Sequence, residues 1–305
     1  MKTPWWFLHK TPLAFLLLPF SFLYFLGSRF VFLLRKIKPY KSRRPVVCIG
    51  NIFAGGVGKT PVVRIVAGFL DAPVVMRGYK KSLKTGGVGD EALMLAKSGL
   101  QVHVGDRKSN LILLNKQKNK IGPIVMDDGF QNPSIQKDLS IIVFDEKLGM
   151  GNGFLLPAGP LRETKTALKR ANAILIIKSQ QKVKRKIKIP ENIPVFYAYN
   201  ELELPCSESD KLIAFAGIGY PKKFFSMLKN VVVTKSFPDH YQYTDKDLEN
   251  LFNLAEQKNA RLITTEKDWV RLPEYAKNQI LYAKLITTIE DSFFVWLKEA
   301  LNDNN

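Results

Sequence analysis

Short β-branched apolar runs separated by stretches of helical length recur along most of the chain. Strands are predicted over Val46–Ile49, Pro73–Met76, Gln101–Val104, Pro123–Met126 and Leu139–Phe144. Further runs follow over Ala173–Ile177, Leu212–Ala216, Val231–Val233 and Arg261–Thr264. Between the early runs the pattern predicts helices over Thr60–Leu70, Asp90–Ser98 and Lys108–Lys116. Brief, wholly apolar strands alternating with helices imply an α/β fold, with a mostly parallel sheet covered on both faces. Ligands in such sheets gather at the carboxyl ends of the strands.

The first forty residues break this pattern. Thr11–Ser28, TPLAFLLLPFSFLYFLGS, carries no charge. As a helix it would reach about 27 Å, slightly short of a hydrocarbon core of about 30 Å. Pro12 and Pro19 interrupt it, while Trp5, Trp6 and Tyr24 have the character of interfacial anchors. A basic run from Arg35 to Arg44 follows, suited to an anionic lipid surface. The segment reads as a membrane-surface or shallowly inserted helix; a core helix and a true span are the alternatives. The organisation expected is an N-terminal membrane-associated helix (1–40), a nucleotide-binding domain (41–165) and a second, smaller α/β domain (166–305) closing over the active-site cleft. The basic linker Lys182–Lys188 lies inside that last domain.

Composition narrows the partners. The 305 residues carry a formal net charge of +19, so an anion is expected: nucleotide, phospholipid surface, phosphorylated substrate or nucleic acid. Cys48 and Cys206 form neither a metal spacing nor a disulfide framework, which fits a reducing compartment.

The most informative stretch is Pro45–Thr60, PVVCIGNIFAGGVGKT. A strand, a glycine-rich loop, Lys-Thr and a helix start form the arrangement that cradles a nucleoside triphosphate. The ATP-binding residues are therefore Phe53, Ala54, Gly55, Gly56, Val57, Gly58, Lys59 and Thr60. Backbone N–H groups would curl around the phosphates at a helix N-terminus, Lys59 would reach the β/γ oxygens, and the Thr60 hydroxyl would ligate Mg²⁺. The loop is a variant, because Phe53 stands where the first glycine of G-x-x-x-x-G-K-[ST] falls. An ordinary glycine-rich turn is the competing interpretation. The fold expected is thus P-loop NTPase-like.

Asp127 and Asp128 close the apolar run IGPIVMDD, where phosphate-loop enzymes hold Mg²⁺; a simple Asp-Asp-Gly turn is the alternative. Asp90 and Glu91 open a predicted helix, as caps or with one of them as a base taking a proton from an attacking hydroxyl. Of three histidines, His9 and His103 read as structural, whereas His240 in FPDHYQYT could orient or tune a carboxylate base. Arg77 in MRGYKK and Arg162 in LLPAGPLRE are candidate phosphate or substrate clamps. Lys267 and Asp268 in TTEKDW could equally form a structural ion pair.

Taken together, these stretches resemble the tetraacyldisaccharide 4′-kinase family of lipid A biosynthesis. LLLPFSFLY, IGNIFAGGVGKTP, MRGY, VGDE, MDDGFQ, LLPAGPLRE, AFAGIGYPKKFF, FPDHYQYT and TTEKD follow in that family's order. The resemblance implies a lipid kinase at the cytoplasmic face of the bacterial inner membrane. It would transfer the ATP γ-phosphate to the 4′-hydroxyl of a tetraacylated glucosamine disaccharide 1-phosphate, with Mg²⁺. By motif, Asp90 would be the base and His240 its partner in a dyad, with Asp127, Asp128, Gln131 and Glu163 around metal and phosphates. Three departures are visible: Asn132 where the family commonly has His after DDGFQ, Ala92 where Pro usually follows GDE, and a shorter loop between Arg77 and Asp90.

Two other classes compete. A membrane-associated switch ATPase of the partition or septum-positioning type also reads GG-x-GK-T, but carries lysine before the two glycines, where Ala54 stands here. A nucleic-acid-binding ATPase would suit the charge; nothing resembles a helicase or recognition-helix motif, so no nucleic-acid partner is expected.

Overall fold

The computed structural model describes residues 4–78, 89–117, 122–179, 183, 187, 189–239 and 241–303, with only the backbone of Asp90. The chain divides into two compact units: Pro4–Tyr199 together with Thr288–Asn305, and Asn200–Thr287.

The larger unit opens with α1 (Pro12–Leu16) and α2 (Leu18–Lys36). There follow β1 (Val46–Gly50), α3 (Lys59–Phe69), β2 (Val74–Met76), α4 (Asp90–Lys97), β3 (Val102–Val104), α5 (Arg107–Asn115), β4 (Ile124–Asp127), β5 (Leu139–Asp145), β6 (Ala173–Ile177) and β7 (Val195–Glu203). Its strands lie in the order β3-β2-β4-β1-β5-β6-β7 and are all parallel. In the register, Val47 sits opposite Val125 on one side and Leu139 on the other. Every residue of β1, β4, β5 and β6 is buried, which explains their uninterrupted apolar sequences: both faces are covered. On one face α3 presents Val62, Val63, Val66 and Ala67 to the core, each fully buried. Each such valine contributes roughly 1.5–3 kcal/mol relative to exposure. The chain crosses from β4 over β1 to β5, so the carboxyl end of β1 faces the reversal of strand succession, where α/β sheets bind their ligands.

The smaller unit contains β8 (Leu212–Ala216), α6 (Pro221–Phe225), β9 (Val231–Ser236), α7 (Asp245–Lys258), β10 (Arg261–Thr265), α8 (Glu266–Trp269), α9 (Glu274–Lys277) and β11 (Ile280–Ile289). Its strand order is β11-β10-β8-β9, again parallel. Thr244 and Asp247 form a reciprocal capping box at the start of α7, and Asn259 ends that helix in the left-handed conformation at φ 44°. The chain then returns to the larger unit in α10 (Asp291–Asn302), whose Phe293, Leu297 and Leu301 enter that unit's core.

The division between units falls inside β7 and β11, rather than at residue 165 as the sequence suggests. The reason is strand pairing: β6 lies in register against β5, Ile141 opposite Ala173, and therefore belongs to the first sheet.

The amino-terminal helix is apolar and open. Ser21 is the one buried residue of α2, whereas Phe20, Phe22, Leu23, Phe30, Leu33 and Leu34 are each more than half exposed. By length and composition α2 is sufficient to cross a membrane, with a mean hydropathy of 1.3.

Candidate active site

The phosphate loop grows out of the buried end of β1. Gly50 has no room for a side chain, since a Cβ there would stand 2.6 Å from the Cβ of Phe130. Asn51, Ile52 and Phe53 continue the chain in a buried position. The side chain of Asn51 donates to the Phe53 carbonyl at 2.7 Å and accepts from Lys59 Nζ at 3.0 Å. Gln131 in turn donates to the Asn51 carbonyl at 2.8 Å. Gly58, at φ 87°, caps α3 in a conformation that L side chains adopt at a cost. A Cβ on it would also meet Ile177 Cδ1 at 2.7 Å. Gly55 and Gly56 are exposed, and Lys59 and Thr60 open α3, so the loop's amides and the helix N-terminus lie together.

Opposite the loop, the Asp-Asp-Gly turn separates its two carboxylates. Asp128 adopts φ 52°, and its amide donates to the Ile49 carbonyl at 2.9 Å. Its carboxylate lies 2.6 Å from Lys59 Nζ and 3.0 Å from Arg162 Nη1. Burial alone would push the Asp128 carboxyl up, but Lys59 and Arg162 more than offset it and hold the group below the usual carboxylate range. Asp127 is 5% exposed, and its Oδ1 has no hydrogen-bond partner. Burial pushes its pKa up to about 6 against the opposing pull of Lys59, with Glu91 and Asp128 adding to the rise. A buried, unpartnered carboxylate oxygen is an unusual expense in a folded protein, and cation ligation is one established reason for it. Among the described residues no group of three or more His, Cys, Asp or Glu side chains converges. A cation held by Asp127 would therefore draw on hydroxyl, phosphate and water oxygens, which is how Mg²⁺ is commonly bound beside nucleotides.

The turn itself is held by a residue that the sequence reading passed over. Arg107, buried at the start of α5, donates through Nη2 to the carbonyls of Asp127 (2.8 Å) and Asp128 (3.0 Å). Its only local signal is its place just after the Asp106 N-cap in VGDRKSN, which is common surface chemistry.

Arg162 arrives on a loop laid against the phosphate loop. Phe53 and Leu161 form an antiparallel bridge, Ala54 N donates to the Pro160 carbonyl at 2.7 Å, and Arg162 N donates to the Ile52 carbonyl at 2.8 Å. The amino-terminal helix is bonded to the same loop. Ser21 Oγ donates to the Leu155 carbonyl at 2.9 Å and accepts from Ala158 N at 3.0 Å, while Tyr24 donates to the Arg162 carbonyl at 3.1 Å. The exposed apolar helix and the loop that carries Arg162 are thus one piece of structure.

The remaining sequence-identified residues are placed as follows. Glu163 pairs with Arg170, and Asn132 accepts from Ser134 N and Oγ at 3.1 and 2.7 Å, a local turn bond. Arg77 follows β2 and is exposed. Asp90 begins α4 after Gly89; its side chain and the whole of His240 lie outside the described residues. Most of the Arg77–Gly89 loop and of the Lys182–Lys188 linker lies outside them too.

Known proteins resemble this chain over most of its length. The profile of the family described as tetraacyldisaccharide-1-P 4′-kinase matches residues 13–302. The chain belongs to that family. It is 39% identical to the tetraacyldisaccharide 4′-kinase of Rickettsia felis over 292 residues, 87% of each chain. It is likewise 39% identical to that of Rickettsia canadensis over 291 residues, again 87% of each. A crystal structure of LpxK from Aquifex aeolicus in complex with ATP superposes with a TM-score of 0.74 at 28% identity, covering 96% of this chain and 99% of that one.

Three of the kinase-like motifs meet inside the smaller unit, around one carboxylate. Asp268 of TTEKD is fully buried and accepts from Gly217 N (3.0 Å) of AFAGIGY, from Tyr243 Oη (3.0 Å) of FPDHYQYT and from Thr265 Oγ1 (2.7 Å). Arg271 completes the set at 3.2 Å. Burial, then Asp268, raises the Tyr243 hydroxyl far above its ordinary pKa, which keeps it a donor. Asp268 does form a structural ion pair, as one of the two readings held, but its partner is Arg271 rather than Lys267.

Proposed function

We propose that this protein is an ATP-dependent lipid kinase that phosphorylates the 4′-hydroxyl of a tetraacylated glucosamine disaccharide 1-phosphate at the cytoplasmic face of a bacterial inner membrane. The observation that carries the reading is the placement of Lys59, Asp128 and Arg162 in one ion-paired group beside the amides of the phosphate loop. Both cations are positioned for phosphoryl oxygens, which suits a reaction that depends mainly on orientation and charge neutralisation. On entry of the triphosphate, Lys59 exchanges Asp128 for phosphate while Asn51 continues to hold its ammonium. Arg162 supplies a planar fork for the transferred group. Thr60 and Asp127 would hold Mg²⁺, with Asp128, Gln131 and Glu163 around the metal and phosphates. When bound, the ion neutralises charge building on the β and γ oxygens.

Asp90, at the helix start, takes the proton from the acceptor hydroxyl, and His240 tunes it. The exposed apolar face of α2 lies in the bilayer and brings the acceptor to the loop that carries Arg162. Incubation with γ-labelled ATP, Mg²⁺ and the acylated disaccharide 1-phosphate in detergent should place label on the distal sugar. Asp90→Asn should lower kcat far more than ATP affinity. ATP-driven dimerisation without lipid phosphorylation would favour the switch ATPase instead.

A further inference from the structure

We propose that Arg170 and Phe32 are positioning residues for Glu163, so that the amino-terminal helix, through one ring, sets the direction of a carboxylate beside Arg162. The proposal rests on the kinase reading above and names the contacts that hold one of its acidic groups in place.

The helix α2 is covered along one stripe. From Phe20 to Lys36, the residues not open to solvent are Ser21, Tyr24, Phe25, Ser28 and Phe32. Their spacing of i, i+3, i+4, i+7 and i+11 is one face of a helix. Its hydrogen bonds to the rest of the chain end on a single segment, at Leu155, Ala158 and Arg162. Phe32, about two turns beyond Tyr24, meets Arg170 just past that segment. The covered face is therefore matched to residues 155–170, which include Arg162 and Glu163.

Arg170 lies against two rings. Its guanidinium carbon is 4.9 Å from the centroid of Phe32 and 4.5 Å from that of Phe130. Phe130 has little freedom of its own: it is 2% exposed, follows the Asp-Asp-Gly turn, and packs its Cβ against Gly50 at the end of β1. Aromatic faces fix the plane of a guanidinium while leaving its in-plane N–H donors free. Nη2 of Arg170 pairs with Glu163 Oε2, whereas Glu163 Oε1 carries no hydrogen bond among the described residues. One carboxylate oxygen is held and the other is left available.

The arrangement exceeds what an ion pair needs for stability. The Arg170 and Glu163 side chains are 36% and 21% exposed, and pairs so open to solvent contribute little to folding. A glutamate has several rotatable side-chain bonds, so its backbone position alone leaves the carboxylate undirected. The backbone is fixed through Arg162, whose N–H donates to the Ile52 carbonyl and whose carbonyl accepts from Tyr24. The stacked guanidinium fixes the other end. Orienting a functional group through a neighbour whose own rotamer is locked by packing is how reactive geometry is held. Phe32 makes α2 part of that support.

The test measures kcat and KM of the full chain in detergent, with ATP and the acylated disaccharide 1-phosphate. Arg170→Gln should lower kcat about tenfold, with KM for ATP within about twofold of wild type. The variant carrying both Glu163→Gln and Arg170→Gln should be no slower than Glu163→Gln alone. Losses that multiply would show that Arg170 acts independently of Glu163 and overturn the proposal. Arg170→Lys keeps the charge but not the stacked fork, and should stay within about threefold of Arg170→Gln. Wild-type turnover in it would reduce the role to charge and overturn the positioning. Phe32→Leu should lower kcat about threefold in the otherwise native chain and leave it unchanged in the Glu163→Gln background. No effect in either background would take the helix out of the device and refute it. Melting curves and affinity for a fluorescent ATP analogue with Mg²⁺ should stay near wild type in these variants. A fall in either that tracks kcat would make the residues structural and likewise refute it. If wild type labels no acceptor, the kinase reading itself fails; with wild type active, each failure above falls on the positioning alone.

Discussion

Lys59 Nζ stands 2.6 Å from Asp128 Oδ1, joining the first residue of the helix behind the phosphate loop to the turn that closes β4. The same carboxylate holds Arg162 at 3.0 Å, so one acid keeps two cations converging from separate parts of the chain. Replacing Lys59 with Ala should reduce phosphoryl transfer on the order of a thousandfold, the scale of losing a preorganised charge at the reacting phosphate. Arg162 still neutralises Asp128 in that variant, so the thermal midpoint should change little. Near-normal turnover would remove the loop from the mechanism.

The same pair sets a pH dependence. Lys59 and Arg162 hold the Asp128 carboxyl below its unfolded value near 3.9, so the unfolded chain binds the proton more tightly. The stabilisation is therefore complete above about pH 5 and lost as pH falls through the depressed folded value. Asp128→Asn should lower stability at pH 7 by about 1–3 kcal/mol, since two partly exposed cations lose their partner. It should also flatten the decline in urea midpoint between pH 5 and 3. Parallel curves for variant and wild type would show that the pair contributes nothing.

The two loop glycines should differ. Gly58→Ala introduces a side chain at φ 87° and 2.7 Å from Ile177 Cδ1, whereas a Cβ on Gly56 has nothing within 4 Å. Gly58→Ala should cost about 1–2 kcal/mol from backbone strain alone and weaken ATP binding. Gly56→Ala should leave the urea midpoint within about 0.5 kcal/mol of wild type. Equal destabilisation would contradict this loop geometry.

Much of this was legible in the sequence, and what was not has identifiable physical reasons. Uniformly buried strands such as β1, β5 and β6 read as unbroken apolar runs, and their bounds match the expected ones within a residue or two. β7 escaped because it alternates: Phe196 and Ala198 face inward while Tyr197 and Tyr199 are 36% and 48% exposed. That pattern disperses apolar residues among polar ones. The glycine-rich loop, Asp127 and Asp128 stand out in the sequence because each closes an apolar strand run, whereas Arg162 stands out only as an arginine within LLPAGPLRE. Arg107 acts through bonds to the carbonyls of a distant turn, and Asn51 through the Lys59 ammonium within the loop, and neither residue type marks such a role in the sequence.

The two faces of α2 should separate membrane affinity from catalysis. Phe20, Leu23 and Phe30 are about 60% exposed, while Ser21 and Tyr24 bond to the loop bearing Arg162. Replacing the three exposed residues with Ser should release the protein from vesicles while preserving its melting curve and its activity on acceptor in detergent. Tyr24→Phe should keep vesicle binding but lower kcat several-fold, by freeing the Arg162 carbonyl. Full deletion of residues 1–34 should do both at once. Tight vesicle binding by the triple variant would place the membrane contact elsewhere.

Asp268 makes the final case, because its burial leaves no solvent to replace a lost partner. Four donors converge on it from Gly217, Tyr243, Thr265 and Arg271, tying the ends of β8 and β10 to the segment that follows Pro238. Asp268→Ala removes the carboxylate from the Arg271 guanidinium, whose side chain is 3% exposed and keeps the Gly217 carbonyl at 3.3 Å, and should cost about 3–5 kcal/mol. Tyr243→Phe removes one hydrogen bond to a charged acceptor and should cost about 1.5–3 kcal/mol. Because both act on one carboxylate, the double variant should be less destabilised than the sum of the two, with a coupling of at least about 0.5 kcal/mol by urea denaturation. Strict additivity would mean that the hydroxyl and the carboxylate stabilise the fold independently, and the network would then be three motifs in proximity with no shared energy.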